Sequence, residues 1–558
     1  MMRAVRAALV AAASVVVLVG CATIPSTGGV ETGDPISNKI ESDIEYLPSG
    51  PIAGSDQERI LRGFIEAGTG SQGDYKVARQ YLTSTEAKKW DPRAGVVVRQ
   101  GSGTFAAGTD GAATYTVQSV ASVDAEGHYA EAQPSDTVSL QFAFQKVGGE
   151  WRISRAPSGI VLSTANFDLV FRPHAIYFYD PTFTYLVPDE RWFLARTSPT
   201  THIVEALLGG PSPWLNGAVE SAFPAKAKLG PGAVTVSSGT ARVDLSSGVE
   251  GLDATERSRM RAQLVASFST VTTVSAVEIS ADGANLSIPN DTGGAALTDP
   301  QVDARPLVLS KGAFGWASAS SVSPVAGLSK AVVALKPTSV ELSTDQKTAA
   351  VGTADGTFVV TDQGVSRRVD SRSGLAAPTL DGQGLVWSAQ TDDPRSMIAY
   401  DAEGVAHPVS TDLPSDQQLV GFTVSRDGTR VAILLDNAGT TRLLVASIQR
   451  DAKHMPTALG NPLELTPPAG SPVSVTWVDE LTIGTLSTSG TGSSLVSEHD
   501  VGGESTDLGT PSGTAVNLVG GNGADGVRVL TASGTLLEPR GNGWEDTGIS
   551  ADLLATQR

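Results

Sequence analysis

Ser425-Arg426-Asp427-Gly428-Thr429-Arg430-Val431-Ala432 decides how the C-terminal half of this chain folds. Short apolar strand patterns lie on both sides of it, at 419–424 and 430–435, and an Asp-Gly pair sits between them. That composition makes a tight turn between two antiparallel strands. Degraded copies stand at Leu342-Ser343-Thr344-Asp345 and at Leu380-Asp381-Gly382. Working outward, short strand patterns gather at 339–361, 385–400, 419–447, 473–497 and 516–537, one group every 45 residues or so. This is close to the length of one four-stranded propeller blade. Residues 302–558 therefore read as an all-β, propeller-like domain of five or six blades, with strands from 306 to 316 closing the ring. A pair of β-sandwiches is the alternative, because the copies share few identical residues.

N-terminal to this region the pattern mixes helix and strand. Residues 166–297 open with the apolar strand Ala175-Ile176-Tyr177-Phe178-Tyr179. A hairpin follows, built from Tyr185-Leu186-Val187-Pro188 and Arg191-Trp192-Phe193-Leu194. A helix over 199–208, capped by Ser198 or Thr200, stops at Gly209-Gly210-Pro211. Strands at 233–237 and 241–245, an amphipathic helix over 255–269 and a strand at 276–280 complete the unit. Val187-Pro188-Asp189-Glu190-Arg191, Ile203-Val204-Glu205-Ala206-Leu207-Leu208-Gly209-Gly210-Pro211, Ala222-Phe223-Pro224, Val243-Asp244-Leu245 and Gln263-Leu264-Val265-Ala266-Ser267 resemble the GerMN domain of sporulation and spore-germination proteins.

Residues 55–163 form a second α+β pattern. Ser55 is expected to cap a helix carrying Ile60, Leu61, Phe64 and Ile65 on one face, with Glu58 completing the box and Gly68 ending it. Asp74 caps a helix over 75–82, and 84–90 adds a further turn or two. The period then changes to two at 96–100, 114–123, 128–133, 138–147 and 150–154. Two helices followed by a meander of strands closing on Gly149-Glu150-Trp151-Arg152-Ile153 resemble the NTF2-like fold. Such a cone often encloses a pocket, which Tyr75, Tyr81, Trp90 and Trp151 could line. With no polar cluster beside them, these aromatics are expected to fill the core instead.

The first twenty residues form a leader. Arg3 and Arg6 precede an apolar run from Ala7 to Val19, too short to cross a bilayer as a lasting helix and followed by small residues, as in a secretory signal. Leu18-Val19-Gly20-Cys21 then has the spacing of a bacterial lipobox, and Cys21 is the single cysteine of the chain. The spacing resembles sites where the thiol takes a diacylglycerol, the leader is cut before the cysteine and the new amine is acylated, so Cys21 is expected to become an N-palmitoyl, S-diacylglycerol cysteine. Two or three chains anchor a protein stably where one is marginal. Residues 21–54, rich in Ser, Gly, Thr and Pro, read as the lipidated cysteine and a flexible tether with a reach on the order of 30 Å. The expected location is the cell membrane, lipid-anchored, on the extracytoplasmic face.

Composition narrows the function. Net charge is −19, and −21 once residues 1–20 are removed, since they carry two arginines and no acid. Such a chain repels phosphate backbones, so nucleic acid is excluded as a partner. With its one cysteine in the anchor, the body has no thiol for a disulfide or a thiolate metal site.

Catalytic patterns are absent. No Gly-x-Ser-x-Gly occurs. His128, His174, His202, His407, His454 and His499 show no i, i+3 or i+4 pair, so no zinc site is indicated; His174 and His202 are expected at the surface or in caps. Gly521, Gly523 and Gly526 match the dinucleotide fingerprint in spacing, but a strand follows where a helix is required, which makes them a blade loop. Asp180, Asp189 and Glu190 could form a hydrolase carboxylate pair, and a solvated turn is the expected reading. Trp192, Phe193 and Trp214, in or beside loops, are candidate partner anchors or core residues. No catalytic residue, cofactor or metal is expected.

Taken with the lipobox and the flanking units, the GerMN-like motifs make the whole chain resemble the actinobacterial lipoprotein LpqB family. The fold class is thus multidomain: two small α+β domains, NTF2-like then GerMN, followed by the propeller-like domain. The resemblance implies a non-catalytic lipoprotein that binds the lipid bilayer through Cys21. It also implies binding to the extracellular domain of the MtrAB sensor kinase, modulating that two-component system in cell-envelope and cell-division homeostasis. The alternative is an exported cell-wall glycan-binding protein or hydrolase that uses the propeller channel; acids and histidines converging at one mouth of the channel would favour it.

Overall fold

The computed structural model describes residues 48–558, except 134, 196–197, 233, 247, 290–295, 319–320 and 542. Helix α1 (Gln57–Ala67) buries Ile60, Leu61, Phe64 and Ile65, the face its spacing predicts. Its cap is Asp56, one residue later than expected. The Asp56 carboxylate accepts the Arg59 amide at 2.9 Å, and a charge at a helix N-terminus is a better cap than the Ser55 hydroxyl because it also meets the dipole. Helix α2 (Gln72–Arg79) passes through left-handed backbone at Gly73, Asp74 and Tyr75. Asp74 does not cap it; its carboxylate turns instead to Arg79 at 2.7 Å and Arg93 at 3.3 Å. Helix α3 (Glu86–Lys89) is the short extra turn.

These helices pack on a sheet of β1 (Gly95–Ala107), β2 (Ala112–Asp124), β3 (Tyr129–Glu131), β4 (Thr137–Val147), β5 (Glu150–Arg155) and β6 (Ile160–Ser163). The order is β5-β4-β2-β1-β6, with β3 on β2. Strand β6 is a sixth strand that the alternation does not reveal. It pairs parallel to β1, Val96 opposite Ile160, and three of its four residues are buried, as a continuous apolar run allows. Tyr75, Tyr81 and Trp90 are buried among Phe64, Phe142 and Ile153.

A helix not expected from the sequence, α4 (Thr164–Val170), leads on from the sheet; the Ser163 hydroxyl accepts the Asn166 amide at its start. Next comes a two-stranded ladder of β7 (Phe171–Tyr179) and β8 (Leu186–Leu194). The expected hairpin within 185–194 does not form. Those residues make one continuous strand paired with β7, Pro188 opposite Tyr177. A two-stranded ladder has only edge strands, and there proline costs little.

Helix α5 (Pro199–Gly209) starts at Pro199 after a left-handed Ser198 whose side chain makes no capping bond. Strands β9 (Lys228–Leu229), β10 (Thr235–Ser237), β11 (Thr240–Ser246), β12 (Ala276–Ala281) and β13 (Ala284–Asn285) form the second sheet. Helix α6 (Ala254–Ser267) carries a full capping box between Asp253 and Glu256. Ile176, Phe178, Ile203, Leu207, Met260 and Leu264 are buried together in the core of this unit.

From 307 onward the described residues form six blades around a common axis. Strands Leu307–Ser310, Ala313–Ser318 and Ser321–Pro324 are completed by Leu553–Gln557, which pairs antiparallel with the first of them, Val308 opposite Leu554. Five further four-stranded groups occupy 339–370, 379–408, 418–459, 471–509 and 515–550, the third of these with an added short strand at Leu463–Leu465. The ring closes through its two chain ends, with the 306–316 region in the closing blade as the spacing suggests. The Asp427 turn sits where two strands of one blade meet: its carboxylate accepts the Thr429 amide at 2.9 Å and pairs with buried Arg430 at 2.6 Å.

Candidate functional site

The propeller axis is filled by side chains. Glu341, from the innermost strand of its blade, is 6 % exposed and stands 3.6 Å from the guanidinium of Arg558, which is 5 % exposed. Glu341 also accepts the Thr379 hydroxyl at 2.8 Å and the Leu380 amide at 2.7 Å. Arg558 donates to the hydroxyls of Thr423 at 2.6 Å and Thr476 at 3.2 Å. Burial pushes Glu341 above the usual carboxylate range and Arg558 below its own, while the pair works against both shifts. Only Nη2 of Arg558 is hydrogen-bonded, and its Nε and Nη1 are buried without a hydrogen-bond partner, so the charge at the axis is held chiefly by Glu341.

One mouth of the axis is covered by the connection between the second α+β unit and the propeller. Val302 and Asn522 exchange two hydrogen bonds, at 2.9 and 2.8 Å, and Asp303 bonds Gln557. The Pro300 carbonyl accepts from Arg426 at 3.0 Å. Arg426 is half-buried, and desolvation, with the Arg558 charge nearby, pushes it down to about 10. Asp299, Asp479 and Glu480 gather at this mouth, and the void among them is about 20 Å³, room for little more than one water. Gly521, Gly523 and Gly526 belong to the same closure, in a blade loop that precedes the strand Arg528–Thr531.

A cleft of about 430 Å³ lies between the two α+β units, within the range of small-molecule sites. Phe171, Trp192 and Phe193 line it, and two imidazole–carboxylate pairs face into it. On the first unit, His128 Nδ1 lies 2.6 Å from Asp124 Oδ2, while Asp124 Oδ1 accepts the amides of Glu126 and His128. Burial alone would raise Asp124; the bonds from His128 outweigh it and hold the carboxyl below its ordinary range. On the second unit, His202 Nδ1 meets Glu205 at 3.1 Å. Donor atoms of Asp124, Glu126 and His128 lie within 4.8 Å of one another, a grouping that a search for histidine pairs passes over. Both Asp124 oxygens are already engaged in the turn, so the group reads as a braced hairpin loop. A separate apolar cavity of about 300 Å³ opens inside the first unit beside Phe64, Trp90, Leu140 and Phe142. Of the four aromatics considered for such a pocket, only Trp90 lines it.

Several expectations change here. Asp180 and Asp189 are 4 and 3 % exposed, so the solvated turn is not what forms. Asp180 caps its own turn through the amides of Thr182, Thr184 and Tyr185. Asp189 accepts Arg191 at 2.8 Å and both the amide and hydroxyl of Ser212. Its neighbour Glu190 points to the opposite face of β8, as strand geometry requires, and no carboxylate pair is made. Glu190 meets the propeller loop at Gly502 and Gly503. Burial there, with Asp500 beside it, pushes it up to about 8.

His174 is not at the surface: it is 6 % exposed, bonds Thr270 at 2.7 Å and is pushed down to about 4 by burial. His202 is partly exposed, on α5. The three aromatics are not free anchors. Trp192 is 9 % exposed and donates to the Gly502 carbonyl at 2.9 Å; Phe193 stacks between His174 and His202; Trp214 packs against the apolar residues of the 418–459 blade. Glu131 of β3 likewise accepts the Ser505 hydroxyl at 2.7 Å. Leu18, Val19, Gly20 and Cys21 lie outside the described residues.

Comparison with known families matches residues 50–168 to the lipoprotein LpqB N-terminal domain, 175–287 to the sporulation and spore germination model and 312–549 to the lipoprotein LpqB beta-propeller domain. A protein named Lipoprotein LpqB from Cutibacterium acnes is 27 % identical over 486 residues, 81 % of this chain and 80 % of that one. One of the same name from Streptomyces avermitilis is 25 % identical over 525 residues, 86 and 85 % of the two chains. The first GerMN domain of the sporulation protein GerM from Bacillus subtilis aligns at 20 % identity and a TM-score of 0.19, covering 23 % of this chain and 94 % of that one.

Proposed function

Because this chain belongs to the actinobacterial LpqB lipoprotein family, we propose that it is a membrane-anchored regulator that works by binding and not by catalysis. Acylated Cys21 holds it on the extracytoplasmic face of the cell membrane. From there it binds the extracellular domain of the MtrAB sensor kinase and modulates signalling tied to envelope and division homeostasis. The lipobox spacing and the relatives' names support the anchor. The first unit is read as an NTF2-like cone, supported by its helices on a six-stranded sheet around an apolar cavity.

The observation that carries the binding role is the charge pair on the propeller axis. Glu341 and Arg558 pair on the axis and 299–303 covers one mouth, which supports action through outer surfaces over a site in the channel. Fold likeness alone assigns no chemistry.

The test is calorimetry of the full chain in detergent against the kinase's extracellular domain. Saturable binding is expected. No heat up to about 100 µM, an affinity of only some 5 to 6 kcal/mol, overturns the kinase reading; binding of cell-wall glycan fragments in its place favours the alternative.

A further inference from the structure

One edge of the first α+β unit carries exposed apolar side chains on two adjoining turns. Strands β4 and β5 meet in a two-residue turn at Gly148 and Gly149, both left-handed, the geometry of a tight hairpin. At its tip Val147 is 50 % exposed. Glu150, opposite Val147, accepts the Gly54 amide at 2.8 Å, which brings the 50–54 loop alongside. That loop carries Ile52, 56 % exposed. Two exposed large apolar side chains therefore stand on neighbouring turns. Trp151 lies beside them, partly buried, with the Lys146 ammonium 5.2 Å from its ring centroid.

Cations follow the strand that leaves these tips, Lys146 and Arg152 near the turn and Arg155, Lys88 and Lys89 towards its far end. Segments 72–93 and 146–155 hold eight basic and four acidic residues, whereas 302–558 holds 17 basic and 28 acidic. The two segments are adjacent: Thr83 donates to the Ile153 carbonyl at 2.8 Å and Glu86 accepts the Ala156 amide, which sets α3 against β5. Lys88, Lys89, Lys146 and Arg155 are exposed, as are Asp74 and Asp91, while Glu86 is buried on the Ala156 amide and half-buried Glu150 is taken up by the Gly54 amide. Pro48, where the described chain begins, packs on Gly70, and the next residue, Ser49, accepts the Tyr81 hydroxyl at 2.8 Å. The chain thus enters on the side of Tyr81, whose neighbours 82 and 83 run along β5, 27 residues after Cys21.

Exposed aliphatic tips, a tryptophan and a fringe of lysine and arginine are the chemistry of a surface that rests in a headgroup layer, the apolar groups dipping in and the cations meeting lipid phosphates. We infer that the β4–β5 hairpin and the 50–54 loop seat the first unit on an anionic lipid surface and hold the acidic propeller away from it. The inference rests on anchorage through Cys21. It adds an orientation: the anchored chain stands on this edge and does not tumble on its lipid.

The test uses full-length, acylated Val147→Cys, in which the new thiol is the one left to label, carrying an environment-sensitive fluorophore. The chain is reconstituted in phosphatidylcholine vesicles with about 30 mol% phosphatidylglycerol, an anionic surface of the kind that attracts basic segments. Expected are flotation with the vesicles, blue-shifted emission and quenching by bromine-labelled lipid. The same label at Val405→Cys, a propeller valine of 53 % exposure, should stay unquenched. Combining Val147→Cys with Lys88→Glu and Lys89→Glu should weaken quenching but not flotation. Flotation with an unquenched Val147 label, or equal quenching at both sites, overturns the orientation alone. Failure to float overturns the anchor and the orientation together.

Discussion

The Trp192 indole donates to the Gly502 carbonyl at 2.9 Å while its ring stacks on Tyr129 and Phe167 at centroid distances of 5.2 and 5.1 Å. One side chain of the second unit thereby joins the aromatic core of the first unit to a loop of the propeller. Trp192→Ala should cost about 3 to 5 kcal/mol in denaturant unfolding, since it removes a buried aromatic at a junction of three packed bodies. Trp192→Phe, which keeps the stack and loses the bond, should cost about 1 kcal/mol. Equal losses would mean that the hydrogen bond, and not the stack, holds the junction.

Glu190 makes that junction sensitive to pH. Its folded value of about 8 lies above the ordinary 4.5 because it is buried beside Asp500, with Asp479 and Glu504 near. The folded state therefore keeps a proton that the unfolded chain releases, and stability falls as pH rises from 4.5 towards 8. Glu190→Gln should match wild type near pH 4.5 and exceed it at pH 8, by roughly 2 kcal/mol after allowance for solvent screening. Thermal melts across that range would show the two curves diverging; parallel curves would rule out the proton.

His174 and His499 act in the opposite direction. Burial pushes both down to about 4, so as pH falls below 6.5 the unfolded chain gains protons that the folded one refuses, and stability drops between 6.5 and 4. His499 sits between the hydroxyls of Thr485 and Ser505 at 2.9 and 3.1 Å, where glutamine can keep partners. His499→Gln should flatten the acid limb of the melting curve, and an unchanged acid slope would assign that limb elsewhere.

Glu341→Ala should be destabilising by about 3 kcal/mol or more, because it strands the Arg558 guanidinium in the propeller axis. Thermal unfolding is the measurement. A loss under about 1 kcal/mol, the level of an exposed pair, would show that water reaches the axis.

Cys21→Ser should release the protein into the medium or leave the leader uncleaved. Fractionation with mass analysis of the N-terminus separates these outcomes, and normal processing with full membrane retention would count against the lipobox.

What the sequence made legible follows from distance along the chain. The Asp427 turn could be read because its partners, Thr429 and Arg430, lie two and three residues away. The apolar face of α1 shows as a spacing within eleven residues. The axial pair, by contrast, joins residues 341 and 558, and Trp192 meets a loop 310 residues on. No local pattern encodes such pairings. Glu190 and Trp192 looked like a polar turn and a loop aromatic because their burial is supplied by another unit. Strand β6 escaped notice because its apolar run is buried on both faces and does not alternate. The cleft was missed for a third reason: its two histidines, 128 and 202, lie on different units.

The blade begun at 307–324 receives its innermost strand only at Leu553–Gln557, and this sets an order of events. Until that strand arrives, Leu307–Ser310 presents an unpaired edge, the kind of template on which chains stick to one another. Because the pairing spans well over two hundred residues, its closure entropy is met late and in one step. A protein threaded outward from its N-terminus would thus leave the membrane with its ring still open, and the hazard of aggregation is concentrated in the interval before residues 553–557 emerge.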